Sequence, residues 1–185
     1  MSTSPQLSQA ILADQMTILR AELGESVHRA AISKLEPADR EALNGLAAMG
    51  WCDINLAKRY KDSVADEVGK SSLELQRWIV KLAVGRTVGG FWRVLLSQVW
   101  DDALVKRVPI LYQRTFDVGV MSAKFDGAGN ATMTVTGWPR IPEYDLVGLQ
   151  VGVESILQLL GREGASAQAS RTPDGVVYKV RWKTK

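Results

Sequence analysis

The spacing of the apolar residues changes from a helical repeat to strict alternation near Thr115, and this change limits the fold more than any other feature of the sequence. Before Thr115, apolar residues recur every three or four positions, which is typical of amphipathic helices. After it, apolar and polar residues alternate, which is typical of strands with one buried face. The sequence therefore predicts a helical first half, residues 6–112, followed by a strand-rich second half, residues 115–183.

Capping signals mark several helix ends in the first half. Asp53 is suited to begin one helix, and Ser71 with Glu74 forms a capping box at the start of another. The predicted helices are Gln6 to Leu23, Pro37 to about Gly50, Asp53 to Val68, Ser71 to Leu82, and Val88 to Val105. The segment from Val27 to Leu35 fits either a short strand or a helical turn.

Two hairpin signals flank one amphipathic helix in the second half. Alternation begins at Phe116, a turn follows at 126–130, and residues 131–136 supply the partner strand. A helix is predicted from Glu143 to Leu160, and a second hairpin joins residues 165–170 to residues 176–182. The order is therefore β-β-α-β-β, with the four strands in one antiparallel sheet and the helix on one face.

The two halves are predicted to pack as one α+β domain. Neither half looks able to bury its apolar face alone, so the helical half and the β-β-α-β-β half should share a core over residues 6–185. Residues 1–5 are predicted to be a disordered end.

Cysteine and histidine occur once each, as Cys52 and His28. One cysteine excludes an internal disulfide, and one histidine excludes every site that needs two. No paired acid and base can be placed around either residue, so we predict no catalytic residue, no metal site and no cofactor, and a protein that is not an enzyme. No apolar run approaches the roughly 20 residues that span a bilayer, and no signal-peptide pattern is present, so a cytoplasmic location is expected.

The charge of the chain is small and mostly dispersed. The 23 basic and 20 acidic residues leave a net charge of +3. The densest basic stretch is the C-terminal one, Lys179, Arg181, Lys183 and Lys185. It fits either the solvent face of an edge strand, where lysine discourages aggregation, or a phosphate-binding strip. Because nucleic-acid binders concentrate their charge, the dispersed pattern makes nucleic-acid binding an unfavoured function.

Aromatic and apolar side chains supply the candidate ligand-binding residues. Six tryptophans are many for this length, and aromatic residues line both cores and apolar pockets. The candidate ligand-binding residues are Trp78, Leu82, Phe91, Trp92, Leu95 and Trp138. Cys52 is a candidate reactive or acylated thiol, although a lone cysteine beside an aromatic residue is more often a small buried apolar side chain.

Several stretches resemble a known family. They are Glu74–Trp78, Gly85–Gly90, the hairpin, Trp138–Pro142, Gly148–Gly161 and Val177–Trp182. Together they resemble the large myxobacterial paralogous family of unknown function. That family looks like a distant relative of the ligand-binding superfamily that includes haem-dependent nitric-oxide sensors, 4-vinyl reductase domains and TRAPP subunits. The resemblance implies a helical half followed by hairpin, helix and hairpin.

The resemblance also shows where this chain departs from its relatives. Haem-dependent members use a proximal histidine on a helix and a Tyr-x-Ser-x-Arg motif; the motif is absent here and His28 lies too early, so haem is not expected. The cysteine-rich metal site of the reductase-like domains has no counterpart after Cys52. TRAPP subunits hold a cysteine-linked acyl chain in an apolar tunnel, but Cys52 does not align with that cysteine.

The expected function is therefore a non-enzymatic, cytoplasmic, sensor- or adaptor-like module that binds a small apolar ligand or a protein partner. The alternatives are a structural or scaffolding protein with a filled core and a weak nucleic-acid binder that uses the basic C-terminal strand. The segment Val88 to Val105 is apolar on nearly every face. Because such a helix must be covered on all sides, and superfamily relatives pair through their helical halves, we also expect a homodimer.

Overall fold

A computed structural model describes residues 4–87, 101–127 and 129–184. The chain forms two compact units. The first, here called the helical unit, comprises Met1–Ile79 with Thr115–Asp117. The second, here called the sheet unit, comprises Val80–Arg114 with Val118–Lys185. A single domain over residues 6–185 stays a prediction, as does the disordered end at 1–5.

Helices dominate the helical unit. Its elements are β1 (Gln6–Ser8), α1 (Gln9–Leu23), α2 (Glu25–Ser33), α3 (Pro37–Asn44), β2 (Trp51–Asp53), α4 (Ile54–Glu67) and the first part of α5 (Ser72–Thr87). Asp53 caps α4, because its carboxylate accepts a hydrogen bond from the Asn55 backbone N–H at 3.0 Å. The capping box at α5 also forms: the Glu74 N–H donates to the Ser71 hydroxyl, and the Ser71 N–H donates to the Glu74 carboxylate. These sequence predictions are confirmed.

The helical unit also contains a two-stranded ribbon that the sequence pattern did not reveal. Strands β1 and β2 pair antiparallel, with Leu7 opposite Cys52, and Leu7 bridges to Phe116 on its other side. Because β1 takes part in this pairing, α1 begins at Gln9, so the predicted start at Gln6 is wrong. The ambiguous segment after Gly24 is helix α2, and the helix that starts at Pro37 ends at Asn44, before Gly50.

Four strands and a long helix form most of the sheet unit. Its elements are the second part of α5, α6 (Asp101–Val105), α7 (Val108–Thr115, whose last residue belongs to the helical unit), β3 (Val120–Gly127), β4 (Asn130–Thr136), α8 (Glu143–Leu159), β5 (Ser166–Thr172) and β6 (Gly175–Arg181). The strands lie in the order β3-β4-β6-β5, and each neighbouring pair is antiparallel. The predicted α+β class and the antiparallel four-stranded sheet are confirmed.

Helix α8 packs on one face of this sheet. The Tyr178 hydroxyl of β6 donates to the Leu146 carbonyl of α8 at 3.1 Å, and the Glu154 carboxylate of α8 accepts from the Ala167 N–H of β5 at 2.8 Å. Buried side chains of the strands meet buried side chains of the helix in the sheet unit's core: Met121, Ala131, Met133, Val135, Val176, Tyr178 and Val180 from the sheet, and Leu146, Val147, Val151, Val153 and Leu157 from α8.

The first strand of the sheet starts later than its alternating pattern suggests. Helix α7 runs to Thr115, and β3 begins at Val120, so the predicted start of alternation at Phe116 is wrong. Gly119 has φ +69° at this bend, and a Cβ there would lie 2.7 Å from the Thr136 carbonyl oxygen. The Tyr112 hydroxyl also donates to the Val118 carbonyl at 2.7 Å, which holds the bend. Of the predicted helix Val88 to Val105, residues 88–100 lie outside the described residues, and 101–105 are helical.

Candidate functional site

The candidate ligand-binding residues fall in three places. Trp78 and Leu82 are half-buried and lie one turn apart in α5. Trp138 is 3% exposed and follows β4 in the sheet unit. The other three candidates, Phe91, Trp92 and Leu95, lie outside the described residues. The structure thus places two of the six residues on the same side of one helix and a third in the core of the sheet unit.

Trp138 belongs to a fixed segment that leads from β4 into α8. The backbone N–H of Trp138 donates to the Asp174 carbonyl at 3.0 Å, and Ile141, three residues later, is fully buried. The Arg171 guanidinium of β5 donates to the Ile141 carbonyl and pairs with Glu143. Trp138 therefore anchors the entry to α8.

Cys52 lies in β2 with its thiol turned inward. The residue is 9% exposed, and its Sγ donates to the Leu7 carbonyl at 3.4 Å. Burial raises the pKa of the Cys52 thiol, and the Asp53 carboxylate adds to that effect, while the Lys61 ammonium opposes it. Because the thiolate is the nucleophile, Cys52 is held in its less reactive, protonated form at neutral pH.

Lys61 carries a buried ammonium group that sequence reasoning missed. It is 3% exposed in α4, and its Nζ donates to the Gln15 Oε1 of α1 at 3.0 Å and to the Gln76 Oε1 of α5 at 3.1 Å. Gln15 and Gln76 are themselves buried, so three helices contribute to one internal polar cluster. The available signal was the spacing of Ala57, Lys61 and Ala65, which gives the lysine small neighbours one turn away on either side and leaves room for other helices.

His28, the only histidine in the chain, pairs with a buried tyrosine. Its Nδ1 and the Tyr60 hydroxyl share a hydrogen bond of 2.9 Å, and the two rings meet edge to face with centroids 5.9 Å apart. Burial lowers the pKa of His28, the Glu25 carboxylate opposes that effect, and the Arg20 guanidinium adds to it. Burial also raises the pKa of the Tyr60 hydroxyl, which therefore keeps its proton.

The surroundings of His28 and Cys52 do not favour haem ligation. A histidine that holds haem iron presents a ring nitrogen to the metal in a pocket large enough for the porphyrin. His28 instead lies by an Arg20–Glu25 ion pair, whose side chains are 58% and 44% exposed, and its ring packs on Tyr60. Cys52 is held as a thiol, whereas ligation to iron requires thiolate. Within residues 4–87, 101–127 and 129–184, no group of three His, Cys, Asp or Glu side chains could hold a metal ion.

Solved H-NOX structures share the fold of this chain. A Tt H-NOX variant superposes with a TM-score of 0.69 at 12% identity, covering 96% of this chain and 95% of that one. The Fe(II) unliganded H-NOX protein from K. algicida gives 0.61 at 11% identity, covering 96% and 97%. A structure from work on modulating haem redox potential through protein-induced porphyrin distortion gives 0.65 at 12% identity, covering 96% and 99%.

These similarities define the fold class of the protein as H-NOX-like. The expected distant resemblance to the haem-dependent nitric-oxide sensors is thereby confirmed at the level of the fold. No family model and no curated protein matches the chain, so the narrower resemblance to the myxobacterial family stays a prediction. Of the helices that the structure describes, none has the length and apolar character needed to cross a membrane.

Proposed function

We propose that this protein is a non-enzymatic, cytoplasmic, haem-free module of H-NOX-like fold that binds a small apolar ligand or a protein partner, as a sensor or adaptor does. One observation carries the proposal: the only histidine of the chain is engaged with Tyr60 beside a charged surface, in a fold whose solved examples include haem proteins. In a chain that has this fold but no described residue placed to ligate haem iron, the same architecture can bind a different ligand or a protein partner.

The side chains of α5 support an apolar ligand. Trp78 and Leu82 are half-buried on one side of this helix, so both can add apolar contact area when a ligand covers them. Burial of apolar area contributes about 25 cal/mol per Å², which favours a ligand with a hydrocarbon or aromatic body. Phe91, Trp92 and Leu95 extend the same candidate site by sequence pattern alone.

A titration with haemin tests the haem-free part of the proposal. The purified protein should show no Soret absorption near 400 nm, and added haemin should give only the spectrum of non-specifically bound haemin. The variant His28→Ala should behave in the same way as the unmodified protein. A stoichiometric Soret band that disappears in His28→Ala would contradict the proposal.

A fluorescence titration with 1-anilinonaphthalene-8-sulfonate tests the apolar site. We expect saturable binding that weakens about tenfold or more in Leu82→Ala, because the leucine side chain supplies contact area. The matched control is Leu73→Ala in the same helix, since Leu73 is already 37% exposed, and it should bind as the unmodified protein does. Equal affinities for all three proteins would refute the role of this side of α5.

We also propose that the protein forms a homodimer, and light scattering tests this. The unmodified protein should show about twice the chain mass of 20.3 kDa at micromolar concentration. Leu96→Glu, in the segment that is apolar on nearly every face, should halve the measured mass while the circular dichroism stays helical. Leu96 lies outside the described residues, so this choice rests on the sequence pattern. A monomeric mass for the unmodified protein would rule out the dimer.

A further inference from the structure

The four-stranded sheet has a second face, opposite α8, and we call it the outer face. Side chains alternate across each strand, so the neighbours of the buried residues point to this side. Its residues are mostly hydroxylated, amide-bearing or basic: Ser122, Lys124, Thr132, Thr134, Gln168, Ser170, Lys179 and Arg181. The exposed Val120, the acidic Asp126 and the half-buried Val177 lie on the same face. Lys124, Lys179 and Arg181 are exposed, and Thr132 and Thr134 of β4 are half-buried, with Thr132 between Lys124 and Lys179.

Strand β6 places basic side chains along the middle of the outer face. It pairs with β4 on one side and with β5 on the other, so the expectation that Lys179 and Arg181 lie on an edge strand is wrong. Protection of a sheet edge therefore does not account for them. Lys179 and Arg181 are two residues apart, which spaces them by about 7 Å along the strand, and Lys183 follows, exposed, after another two residues.

A polar network orients one end of this row of cations. The Lys179 Nζ donates to the Thr132 hydroxyl at 2.8 Å, and that hydroxyl donates to the Asp126 carboxylate at 2.5 Å. Lys124 pairs with the same carboxylate at 3.4 Å. Among the residues that the structure describes, the Arg181 guanidinium takes part in no hydrogen bond or ion pair, so its donors remain available to a ligand.

The aromatic side chains of this part of the sheet lie on the other face. Tyr178 and Trp182 are buried, and Phe125 stacks on Trp182 with ring centroids 6.3 Å apart. The outer-face positions named above include no aromatic residue, so the surface has cations and hydroxyl groups but no platform on which a base could stack. Such a surface can contact the phosphate groups of a ligand, and phosphate contacts carry no information about base identity.

We propose that the outer face of the sheet binds the phosphodiester backbone of single-stranded nucleic acid, which lies along β6 with successive phosphates near Lys179, Arg181 and Lys183. The regular row of cations matches an extended polyanion, whose charges also repeat in a line. The hydroxyl group of Thr134 on β4 and the amide of Gln168 on β5 flank the row and can donate hydrogen bonds to phosphate oxygens. This inference goes beyond the proposed function and is independent of the apolar site.

The composition of the face argues against an anionic membrane as the occupant. Peripheral membrane segments combine clusters of four to eight basic residues with large apolar side chains that enter the lipid. The outer face has four cations, Lys124, Lys179, Arg181 and Lys183, at the low end of this range. Its apolar residues are two valines, the exposed Val120 and the half-buried Val177, and neither is a large side chain that could enter the lipid.

Fluorescence anisotropy with a labelled 20-nucleotide single strand tests the proposal. The full chain should bind the strand at low salt, and the logarithm of the affinity should fall against the logarithm of salt concentration with a slope of about −2, since each neutralised phosphate of a single strand contributes about −0.7. DNA and RNA of mixed, thymine-rich or uracil-rich sequence should bind equally. Lys179→Glu/Arg181→Glu should weaken binding at least tenfold and bring the slope above −1.

Two further variants separate a site on this face from a general effect of charge. Lys81→Glu/Arg107→Glu changes the net charge by the same amount as Lys179→Glu/Arg181→Glu. Its two positions are exposed and lie in a helix and a turn of the sheet unit. This variant should bind as the unmodified protein does. Asp126→Asn removes the negative charge of β3 that lies beside the row and should tighten binding about threefold. Circular dichroism and thermal unfolding show whether each variant is folded.

Several results would overturn the proposal. They are the absence of binding at low salt by the folded unmodified protein, equal loss of binding in both double variants, unchanged binding in folded Lys179→Glu/Arg181→Glu, and a preference for one base sequence. Tighter binding to polyglutamate or to vesicles rich in phosphatidylserine than to the single strand would assign the face to an acidic protein or to a membrane instead.

Discussion

The helical unit and the sheet unit fill their interiors with different kinds of contact. The helical unit buries four polar side chains among its described residues, Gln15, Lys61, Ser63 and Gln76, and each hydrogen-bonds across to a different element. The sheet unit buries two polar side chains among its described residues, Asp145 and Ser155 of α8. Most of its interior consists of apolar side chains aligned between α8 and the strands, and its backbone groups pair through the strand ladders. Side-chain hydrogen bonds between helices therefore contribute more to the packing of the helical unit, and backbone pairing between strands contributes more to the packing of the sheet unit.

This difference decides where each unit tolerates change. Helices satisfy their own backbone hydrogen bonds, so their mutual arrangement depends on side chains. A strand forms its backbone hydrogen bonds with the neighbouring strands, so a sheet loses these bonds when an added atom pushes two strands apart. Four predictions test this contrast, in descending order of expected effect on the free energy of unfolding.

Gly175→Ala should damage the sheet unit most. A Cβ at position 175 would lie 2.1 Å from the Val135 carbonyl oxygen and 2.9 Å from its carbonyl carbon, so β6 must move away from β4. We expect a loss of about 3 kcal/mol or more, which is the scale of severe single substitutions, measured by urea unfolding. The matched control is Gly85→Ala in α5, where a Cβ meets nothing within 4 Å and alanine should stabilise the helix by up to about 1 kcal/mol. Similar losses for both variants would mean that close backbone approach is not what distinguishes the sheet.

Lys61→Met should destabilise the helical unit by about 2–4 kcal/mol. Methionine has a similar length but no donor, so the buried Gln15 and Gln76 oxygens lose the Nζ hydrogen bonds, and removing one partner from a buried polar cluster costs this much. Chemical unfolding at pH 7 measures the effect.

The triple variant Gln15→Leu/Lys61→Met/Gln76→Leu is the control for that prediction. Replacing all three polar groups by apolar ones of similar volume should restore most of the lost stability, because no buried amide is then left without its partner. A triple variant that is less stable than Lys61→Met alone would mean that the three side chains stabilise the helical unit through contacts other than the hydrogen bonds among them.

Ser71→Ala should cost about 1 kcal/mol, the usual effect of removing a helix N-cap. The serine hydroxyl accepts the Glu74 N–H at 3.2 Å, and without it that donor at the start of α5 loses its partner in the chain. Ser72→Ala is the matched control at the next residue, because the Ser72 hydroxyl makes no hydrogen bond among the described residues. Thermal unfolding of the two variants should differ, and equal midpoints would contradict a capping role for Ser71.

His28 should give the smallest effect, visible only as a dependence on pH. Burial lowers its pKa below the ordinary value of 6.5, so the unfolded chain binds a proton more readily than the folded one. This contribution to stability is present above pH 6.5 and is lost as the pH falls through the lower folded-state value. Between pH 7.5 and pH 5.5 the unmodified protein should therefore lose more stability than His28→Gln. An equal loss in both proteins would show that His28 does not titrate in this way.

Local signals in the sequence predicted many element boundaries correctly. Asp53, Ser71 and Glu74 act within three residues of the helix ends that they cap, so their effect is readable without the fold. Turn residues likewise predicted both hairpins, since their pairing partners are close in the chain. The candidate sites were harder to predict from the sequence. Residue spacing placed Trp78 and Leu82 on one side of a helix, but it gave no reason to connect Lys61 with Gln15 and Gln76.

The sequence by itself determined the helical half, the two hairpins and the absence of a second histidine or cysteine, because helical periodicity, capping and turn formation act over a few residues. Only the tertiary structure decided that β1 pairs with β2, that β6 lies between β4 and β5, and that Lys61 is enclosed by α1 and α5. Each of these contacts joins residues far apart in the chain, and its free energy depends on burial and backbone pairing that arise only when the packed elements meet.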